Sequence, residues 1–144
     1  MKRKLLIIRV LALIALALSV YILWTSSSQK AELAGCGEGS GCEAVLQTKW
    51  SSWFGLPVSA GAIVVYGSIL LLTFLVTTES KKGWLLLAFF SLLASASGVW
   101  FMLLQAFLIK SYCIYCSIVH FCGILITVFV LKTIPVREEQ TGKK

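Results

Sequence analysis

Four long apolar stretches constrain what this sequence can fold into. They cover approximately residues 5–24, 57–77, 84–109 and 113–131 of a 144-residue chain, and a helix needs about 20 apolar residues to cross a bilayer. The stretches are continuously apolar and do not alternate, which excludes a membrane β-barrel. Charged residues make up only 13%, against roughly a quarter in soluble domains. We therefore expect an all-α bundle of four transmembrane helices, with residues 1–144 forming a single membrane domain.

The distribution of lysine and arginine predicts the orientation of this bundle. Basic residues precede the first span, separate the second from the third and follow the fourth, and an even number of spans puts these groups on one side. Positive residues mark the cytoplasmic side, so we expect both termini there and the loop between the first two spans outside. The net charge of +7 thus reflects topology, and we expect no nucleic-acid partner.

The first outer loop carries Cys36 and Cys42 on the glycine-rich sequence AGCGEGSGCEA. The preceding LAGC resembles the box before a lipidated bacterial cysteine. However, the polar run TSSSQKAE separates it from the apolar core, which is longer than the 7–15 residues or so of a signal core. We therefore expect the first segment to be retained as a span. Disulfides persist outside the cytoplasm, so this pair is predicted to take part in disulfide chemistry.

A second cysteine pair, Cys113 and Cys116, opens the fourth span in the sequence YCIYC. Residues i and i+3 share a helix face, and the unpaired N–H groups of a helix N-terminus stabilise a thiolate. The fifth cysteine, Cys122, lies on a different face and is expected to pack as a small apolar residue. His120, one turn below Cys116, is expected either to contact a bound ligand or to form an interhelical hydrogen bond.

Two further segments carry structural expectations. The outer loop continues as EAVLQTKWSSWF, whose apolar spacing predicts a short amphipathic helix on the outer membrane surface, beginning directly after Cys42. Pro57 is expected in the first turn of the second span. Gln105 in the third span faces either a ligand or a neighbouring helix, and the sequence does not decide between them. The third span also has a ladder of small residues suited to close packing: Ser91, Ala94, Ser95 and Gly98.

Four spans, an outer C-x5-C and a C-x-x-C opening the fourth span together resemble the bacterial branch of the vitamin K epoxide reductase family. The matching segments include CEAVLQTKWSSWFGLPVSAGAIVVYG and YCIYCSIVHF. The resemblance implies a quinone-dependent thiol–disulfide oxidoreductase of the bacterial inner (cytoplasmic) membrane. It implies menaquinone or ubiquinone as electron acceptor, no metal, and a thioredoxin-fold partner similar to disulfide-bond-formation protein A. Because the chain ends soon after the fourth span, we expect that partner to be a separate protein.

The resemblance also implies a role for individual residues. Cys113 and Cys116 would form the redox pair, with Cys116 facing the quinone ring and passing electrons to it. Cys42 would attack Cys113, and Cys36 would exchange with the partner protein. Thr48 lies six residues after Cys42, where the family has a serine or threonine that helps to position the redox-active groups.

Two positions depart from the animal members of that family. His120 stands where they have a quinone-contacting tyrosine, and it is a candidate quinone-binding residue here. Val58 aligns with an asparagine that contacts the other quinone oxygen, so one hydrogen bond to the ligand is expected to be missing. The epoxide-reducing activity of the animal enzymes is therefore not implied.

Three other interpretations are open on the residues alone. A relative of disulfide-bond-formation protein B would also be a four-helix quinone reductase, but its two cysteine pairs occur in the opposite order. The four cysteines also suit a tetrahedral metal site or a metal-transport relay, which the oxidising side of the membrane and the lack of acidic residues in the spans disfavour. A membrane scaffold held by structural disulfides is the third, and its disulfides would not respond to added quinone.

Overall fold

The computed structural model describes residues 2–27, 41–46, 48–53, 55–76 and 81–133. In chain order these residues form α1 (Lys2–Ser27), α2 (Gly41–Leu46), a 3₁₀ turn (Lys49–Ser51), β1 (Ser52–Trp53), β2 (Leu56–Pro57), α3 (Val58–Leu75), α4 (Lys81–Leu103), a π-helical turn (Leu104–Ile109) and α5 (Ile114–Leu131). Among the described residues, α1, α3, α4 with its π-helical extension, and α5 are long and apolar enough to cross a membrane. The predicted all-α, four-helix membrane architecture is confirmed, and the chain is a multi-pass membrane protein.

The four long helices form a ring in which each helix packs on two neighbours. α1 and α4 lie diagonally opposite each other, and each packs against both α3 and α5. We call the end where α1 ends and α3 and α5 begin the cysteine end, because Cys113 and Cys116 lie there. At the opposite end, the Lys4 Nζ atom donates to the Lys132 carbonyl oxygen at 3.5 Å. The chain therefore runs up and down between the two ends, as four consecutive spans require.

Small residues allow the helices to approach closely in the middle of the bundle. Ser91, Ala94 and Gly98 of the predicted ladder are buried, whereas Ser95 is half-buried. A Cβ atom at Gly123 of α5 would lie 2.7 Å from the Tyr66 Oη atom, closer than carbon and oxygen can pack. Glycine at position 123 thus relieves crowding, because the Tyr66 side chain from α3 and the Ala94 backbone of α4 both lie against α5 there.

Polar groups inside the bundle are satisfied across helix interfaces. The Tyr66 hydroxyl of α3 donates to the Val119 carbonyl oxygen of α5 at 2.8 Å. The Thr127 hydroxyl of α5 donates to the Ser91 carbonyl oxygen of α4 at 2.6 Å. Large apolar side chains such as Phe74 and Leu85 point outward instead, as a lipid-facing surface allows.

Arg9 of α1 lies at the opposite end and is held by α3. Its Nη2 atom donates to the Thr73 carbonyl oxygen at 2.7 Å, and its guanidinium lies 4.2 Å from the Phe74 ring centroid. A charge within an apolar segment is costly unless it is paired. Here a helix-end carbonyl and an aromatic face supply that stabilisation.

The predicted surface helix is shorter than its apolar spacing suggested. α2 begins at Gly41, one residue before Cys42, and ends at Leu46. The side-chain hydroxyls of Thr48 and Ser51 then donate to the carbonyl oxygens of Val45 and Thr48, both at 2.8 Å. Such local hydroxyl bonds compete with helical hydrogen bonding, which is consistent with a 3₁₀ turn, and not a continued α-helix, at Lys49–Ser51.

A β-hairpin with two residues in each strand links this turn to α3. β1 pairs antiparallel with β2, with Ser52 opposite Pro57 and Trp53 opposite Leu56. Gly55 in the connection has a φ of +80°, a conformation that glycine adopts readily. Pro57 has a φ of −66° and precedes α3 as its N-cap residue, one position earlier than expected.

Candidate active site

A cavity of about 300 Å³ lies at the cysteine end of the bundle. Its volume is at the lower end of the range of about 300–1,000 Å³ that is usual for small-molecule sites. The walls are mostly apolar and come from α1, α2, α3, α4 and α5. Among the predicted site residues, Thr48, Cys116 and His120 line this cavity, and so does Val58. Side chains more than 60 positions apart in the sequence thus meet around one space.

Cys113 lies immediately beside this cavity as the N-cap residue of α5. Its backbone is extended (φ −94°, ψ 115°), and its Sγ atom accepts the Cys116 backbone N–H at 3.4 Å. The helix therefore begins at Ile114, one residue later than the sequence suggested. Cys113 is completely buried, whereas Cys116 is half-buried. Of the two thiols, Cys116 is the one that lines the cavity.

Cys113 has the electrostatic environment of a reactive thiol. A hydrogen bond from the Cys116 side chain is the largest influence, and backbone N–H groups of Cys116 and Tyr115 act in the same direction. Together they outweigh burial and lower the pKa of Cys113 to about 7. A thiol with a pKa near 7 is about half ionised at neutral pH, and the thiolate is the form that attacks disulfides.

The loop cysteine Cys42 is packed against the same region. Cys42, Cys113 and Ile22 form one buried cluster, against which Val45 and Leu46 of α2 pack. Cys42 is disulfide-bonded, whereas the thiols of Cys113, Cys116 and Cys122 are free. The prediction for Cys36 lies outside the described residues. The structure therefore brings Cys42 next to the C-x-x-C pair.

Gly41 allows this approach of the loop to α5. A Cβ atom at Gly41 would lie 2.8 Å from the Tyr112 backbone N atom and would also collide with the Tyr112 carbonyl oxygen. Both atoms are backbone, so the neighbour cannot rotate away. The absence of a side chain at this position thus lets α2 pack directly on the residue that precedes Cys113.

His120 faces the cavity without an interhelical hydrogen bond. Its ring stacks on the Phe101 ring of α4, with centroids 5.6 Å apart and planes 5° from parallel. The imidazole forms no hydrogen bond with another residue in the described part of the chain. Its backbone approaches α4 closely, since a Cβ atom at Gly98 would be 3.3 Å from the His120 Cβ atom. Of the two expectations for His120, the interhelical hydrogen bond is the one without support.

Thr48 and Cys122 have different surroundings. The Thr48 side chain lines the cavity while its hydroxyl donates to the Val45 carbonyl oxygen, so it ties the end of α2 to the following turn. Cys122 is buried in the central core, away from the cavity, among residues such as Ile126 and Val119. The expectation that Cys122 packs as an apolar residue agrees with this position.

Gln105 is the site residue whose role the sequence left open. It lies in the π-helical turn at the end of α4, is 2% exposed and lines the cavity. Its Oε1 atom accepts the Cys113 backbone N–H at 2.9 Å. The available sequence signal was an amide within an apolar span, eight positions before the C-x-x-C motif. Only the tertiary structure connects that amide to Cys113.

Comparison with known families agrees with the motifs and the geometry. The sequence model of the vitamin K epoxide reductase family matches residues 6–131. The chain belongs to the vitamin K epoxide reductase family. That family consists of membrane thiol oxidoreductases that are linked to quinones and generally work with thioredoxin-like partners. This vitamin K epoxide reductase family member is therefore a membrane oxidoreductase, and its cavity and cysteines are the candidate site of that chemistry.

Proposed function

We propose that this protein is a quinone-dependent thiol–disulfide oxidoreductase that supports disulfide-bond formation. It takes electrons from a separate thioredoxin-fold dithiol protein and delivers them to a membrane quinone, menaquinone or ubiquinone. The observation that carries this proposal is the convergence of Cys42, Cys113 and Cys116 beside an apolar cavity. A disulfide-bonded loop cysteine next to a reduced pair is the arrangement that an electron relay needs.

The proposed orientation has the cysteine end outside the cytoplasm of a bacterial inner membrane. Lys81 and Lys82 begin α4 at the opposite end, and Lys4 and Lys132 meet there. Basic residues favour the cytoplasmic side, so both chain termini would lie in the cytoplasm. The cysteine pairs would then face the compartment in which disulfides are made.

Electrons enter the proposed relay through the loop cysteines. A thiolate of the partner attacks Cys36 of a Cys36–Cys42 disulfide, forms a mixed disulfide and releases Cys42 as a thiolate. The second partner thiol then resolves the mixed disulfide, leaving the partner oxidised and the loop pair reduced. Cys42 next attacks Cys113 of a Cys113–Cys116 disulfide, and Cys116 leaves as a thiolate. Cys36 closes the loop disulfide again and frees Cys113, so two electrons now reside on the inner pair.

The inner pair passes these two electrons to the quinone. Cys113 would attack the Cys116 sulfur as that sulfur, which lines the cavity, gives an electron pair to the quinone. The Cys113–Cys116 disulfide then forms with the loss of two electrons and two protons from the two thiols, and the quinone takes these up to become the quinol. The pKa of Cys113, lowered to about 7, favours the attacking thiolate. Membrane quinones are more oxidising than protein dithiols, and 30 mV corresponds to about 1.4 kcal/mol for a two-electron couple. The favoured direction is therefore oxidation of the dithiol.

The cavity suits a quinone ring in size and polarity. Apolar walls including Ile22, Val58 and Phe101 would cover the ring faces. His120 has a ring nitrogen available for a carbonyl oxygen of the ligand, and its stack on Phe101 holds the imidazole plane in place. Thr48 would act indirectly by fixing the end of α2 beside the cavity.

A matched pair of cysteine variants tests the proposed function. Purified Cys116→Ala protein is assayed for reduction of menadione with dithiothreitol as donor, and Cys122→Ala serves as the control because Cys122 lies in the core. We expect Cys116→Ala to fall to the uncatalysed rate and Cys122→Ala to remain near the wild-type rate. Wild-type turnover by the Cys116→Ala protein would refute the relay, and so would a wild-type protein that reduces no quinone.

A further inference from the structure

Only one of the two polar groups in the Gln105 side-chain amide forms a hydrogen bond with a described residue. The Oε1 atom accepts the Cys113 N–H at 2.9 Å, and only an oxygen can accept that bond, so the orientation of the amide is fixed. The Nε2 group has no hydrogen-bond partner among the described residues, although the residue is 2% exposed. The amide NH₂ is therefore a donor without an acceptor at the wall of the cavity.

The backbone around Gln105 departs from regular geometry in a way that favours this position. Gln105 is the second residue of a six-residue π-helical turn that continues α4. The turn ends at Ile109, and the next residue, Lys110, has a φ of +54° and is the one described non-glycine residue with a positive φ. Short π-helical segments are rare and are concentrated at functional sites. Because of this irregular segment, the Gln105 side chain reaches the backbone N–H of Cys113, which lies eight positions later in the sequence.

The chemistry of the unpaired group identifies what it would bind. An amide NH₂ only donates, so its ligand partner must be an acceptor such as a carbonyl oxygen. Negative charge develops on a quinone oxygen when the ring receives electrons, and a preorganised N–H donor directed at that oxygen stabilises such charge. Cys116 and His120 line the same cavity, so an acceptor held by Gln105 would lie within the redox site.

We propose that Gln105 binds the electron acceptor directly: its Nε2 group donates a hydrogen bond to a quinone carbonyl oxygen while its Oε1 atom holds the Cys113 backbone. This inference rests on the proposed quinone-reducing function. One side chain would thereby connect the attacking cysteine to the molecule that receives its electrons. Loss of the donor should weaken quinone binding even where the thiol chemistry is unaffected.

The test compares two substitutions of Gln105 with a control on the same helix. Gln105→Met preserves length but removes both polar atoms, and Gln105→Glu keeps an oxygen for the Cys113 N–H. Ser97→Ala is the control because the exposed Ser97 hydroxyl bonds only to carbonyl oxygens of α4. Equilibrium binding of menadione is followed by quenching of tryptophan fluorescence, since Trp50 lines the cavity.

We expect menadione to bind Gln105→Met about tenfold more weakly, equivalent to about 1.4 kcal/mol for one hydrogen bond. Gln105→Glu should bind weakly when ionised and more tightly as the pH falls, because a protonated carboxyl donates where a carboxylate cannot. The wild type and Ser97→Ala should not show that strengthening at low pH. A role confined to holding Cys113 would leave the Kd for menadione unchanged in both Gln105 variants.

The two proposals fail in different ways. If the wild type reduces and binds menadione but both folded Gln105 variants retain the wild-type Kd, the inference about Gln105 is refuted and the proposed function stands. If Gln105→Met does not fold, the pH dependence of binding by Gln105→Glu decides the matter by itself. A wild type that neither binds nor reduces quinone refutes both proposals.

Discussion

The cysteine end and the middle of the bundle differ in whether their polar side chains are paired with other helices. In the middle, regular helices meet at small residues, and hydroxyls such as those of Tyr66 and Thr127 are paired across the interface. At the cysteine end, the backbone includes a π-helical turn and an extended N-cap residue. The thiols of Cys113 and Cys116 are free there, and the Gln105 amide forms a hydrogen bond only through its oxygen. Irregular backbone at membrane depth is tolerated where it lines a cavity. The regular region therefore supports the fold, whereas the irregular region holds the cavity and the cysteines of the candidate site.

Among substitutions that leave every cysteine in place, we expect the addition of one methyl group at Gly41 to reduce activity the most. In Gly41→Ala, the new Cβ atom would collide with Tyr112 backbone atoms, so α2 must move and carry Cys42 away from Cys113. We expect dithiol-driven quinone reduction to fall more than tenfold, with little change in thermal stability. The control is Gly67→Ala, where the added Cβ atom meets nothing within 4 Å. Equal activity of the two variants would contradict the proposed contact between loop and C-x-x-C pair.

The same change in the middle of the bundle should affect stability instead. Gly123→Ala would bring a Cβ atom to 2.7 Å from the Tyr66 Oη atom and 3.3 Å from the Ala94 carbonyl oxygen. Overpacking of this kind costs about 1–3 kcal/mol, which a thermal unfolding series in detergent would detect. We expect the KM for quinone to remain near the wild-type value in protein that stays folded. A variant with normal stability and impaired quinone binding would undermine the division between the two regions.

The hydrogen bonds around Cys113 predict a pH dependence at the cysteine end. Thiolate absorbance of the reduced protein should rise through a midpoint near pH 7, because the pKa of Cys113 is lowered to about 7. Cys116→Ala removes the largest cause of that shift, so the midpoint should move upward toward the ordinary thiol value. Cys113→Ser should lose this phase, and Cys122→Ala should retain it. A midpoint unchanged in Cys116→Ala would show that the backbone N–H groups suffice.

The same pKa shift has a consequence for stability. A thiol whose pKa is lower in the folded than in the unfolded state contributes stability that is fully present above the unfolded pKa. This contribution is lost as the pH falls through about 7, the pKa of folded Cys113. Reduced protein should therefore gain stability relative to Cys113→Ser between pH 7 and the ordinary thiol range. Thermal unfolding midpoints of the reduced wild type and of Cys113→Ser, measured at a series of pH values, test this expected gain in stability.

Substitution of Thr48 should have the smallest effect on quinone turnover, and it tests whether Thr48 contacts the reacting groups. Its hydroxyl is occupied by the Val45 carbonyl oxygen at 2.8 Å, so it positions α2 and is not free for the ligand. We expect Thr48→Val, which keeps the shape, to lower quinone turnover only a few-fold, and Thr48→Ser to retain nearly full activity. A loss as large as that of Gly41→Ala would indicate that Thr48 contacts the reacting groups directly.

The pattern of amino acids was enough to predict the class of protein and to select the residues of the candidate site. Four continuously apolar stretches predict four membrane helices because an unpaired backbone is too costly in lipid for other structures. The position of Cys113 and Cys116 at a helix start predicted a reactive pair from local geometry alone, and the loop motif indicated a second redox centre. These features follow from composition and from spacing within one element, which a linear sequence displays directly.

The contacts between side chains of different helices could be identified only in the folded structure. The sequence left Gln105 and His120 undecided, because a polar residue in an apolar span can face a ligand or a neighbour with the same local pattern. The π-helical turn brings Gln105 to the Cys113 N–H, and the stack on Phe101 leaves His120 facing the cavity. The surface helix was shorter than predicted, and hydroxyl-to-carbonyl bonds follow its end. Such contacts depend on long-range packing and local hydrogen-bond competition, neither of which residue spacing encodes.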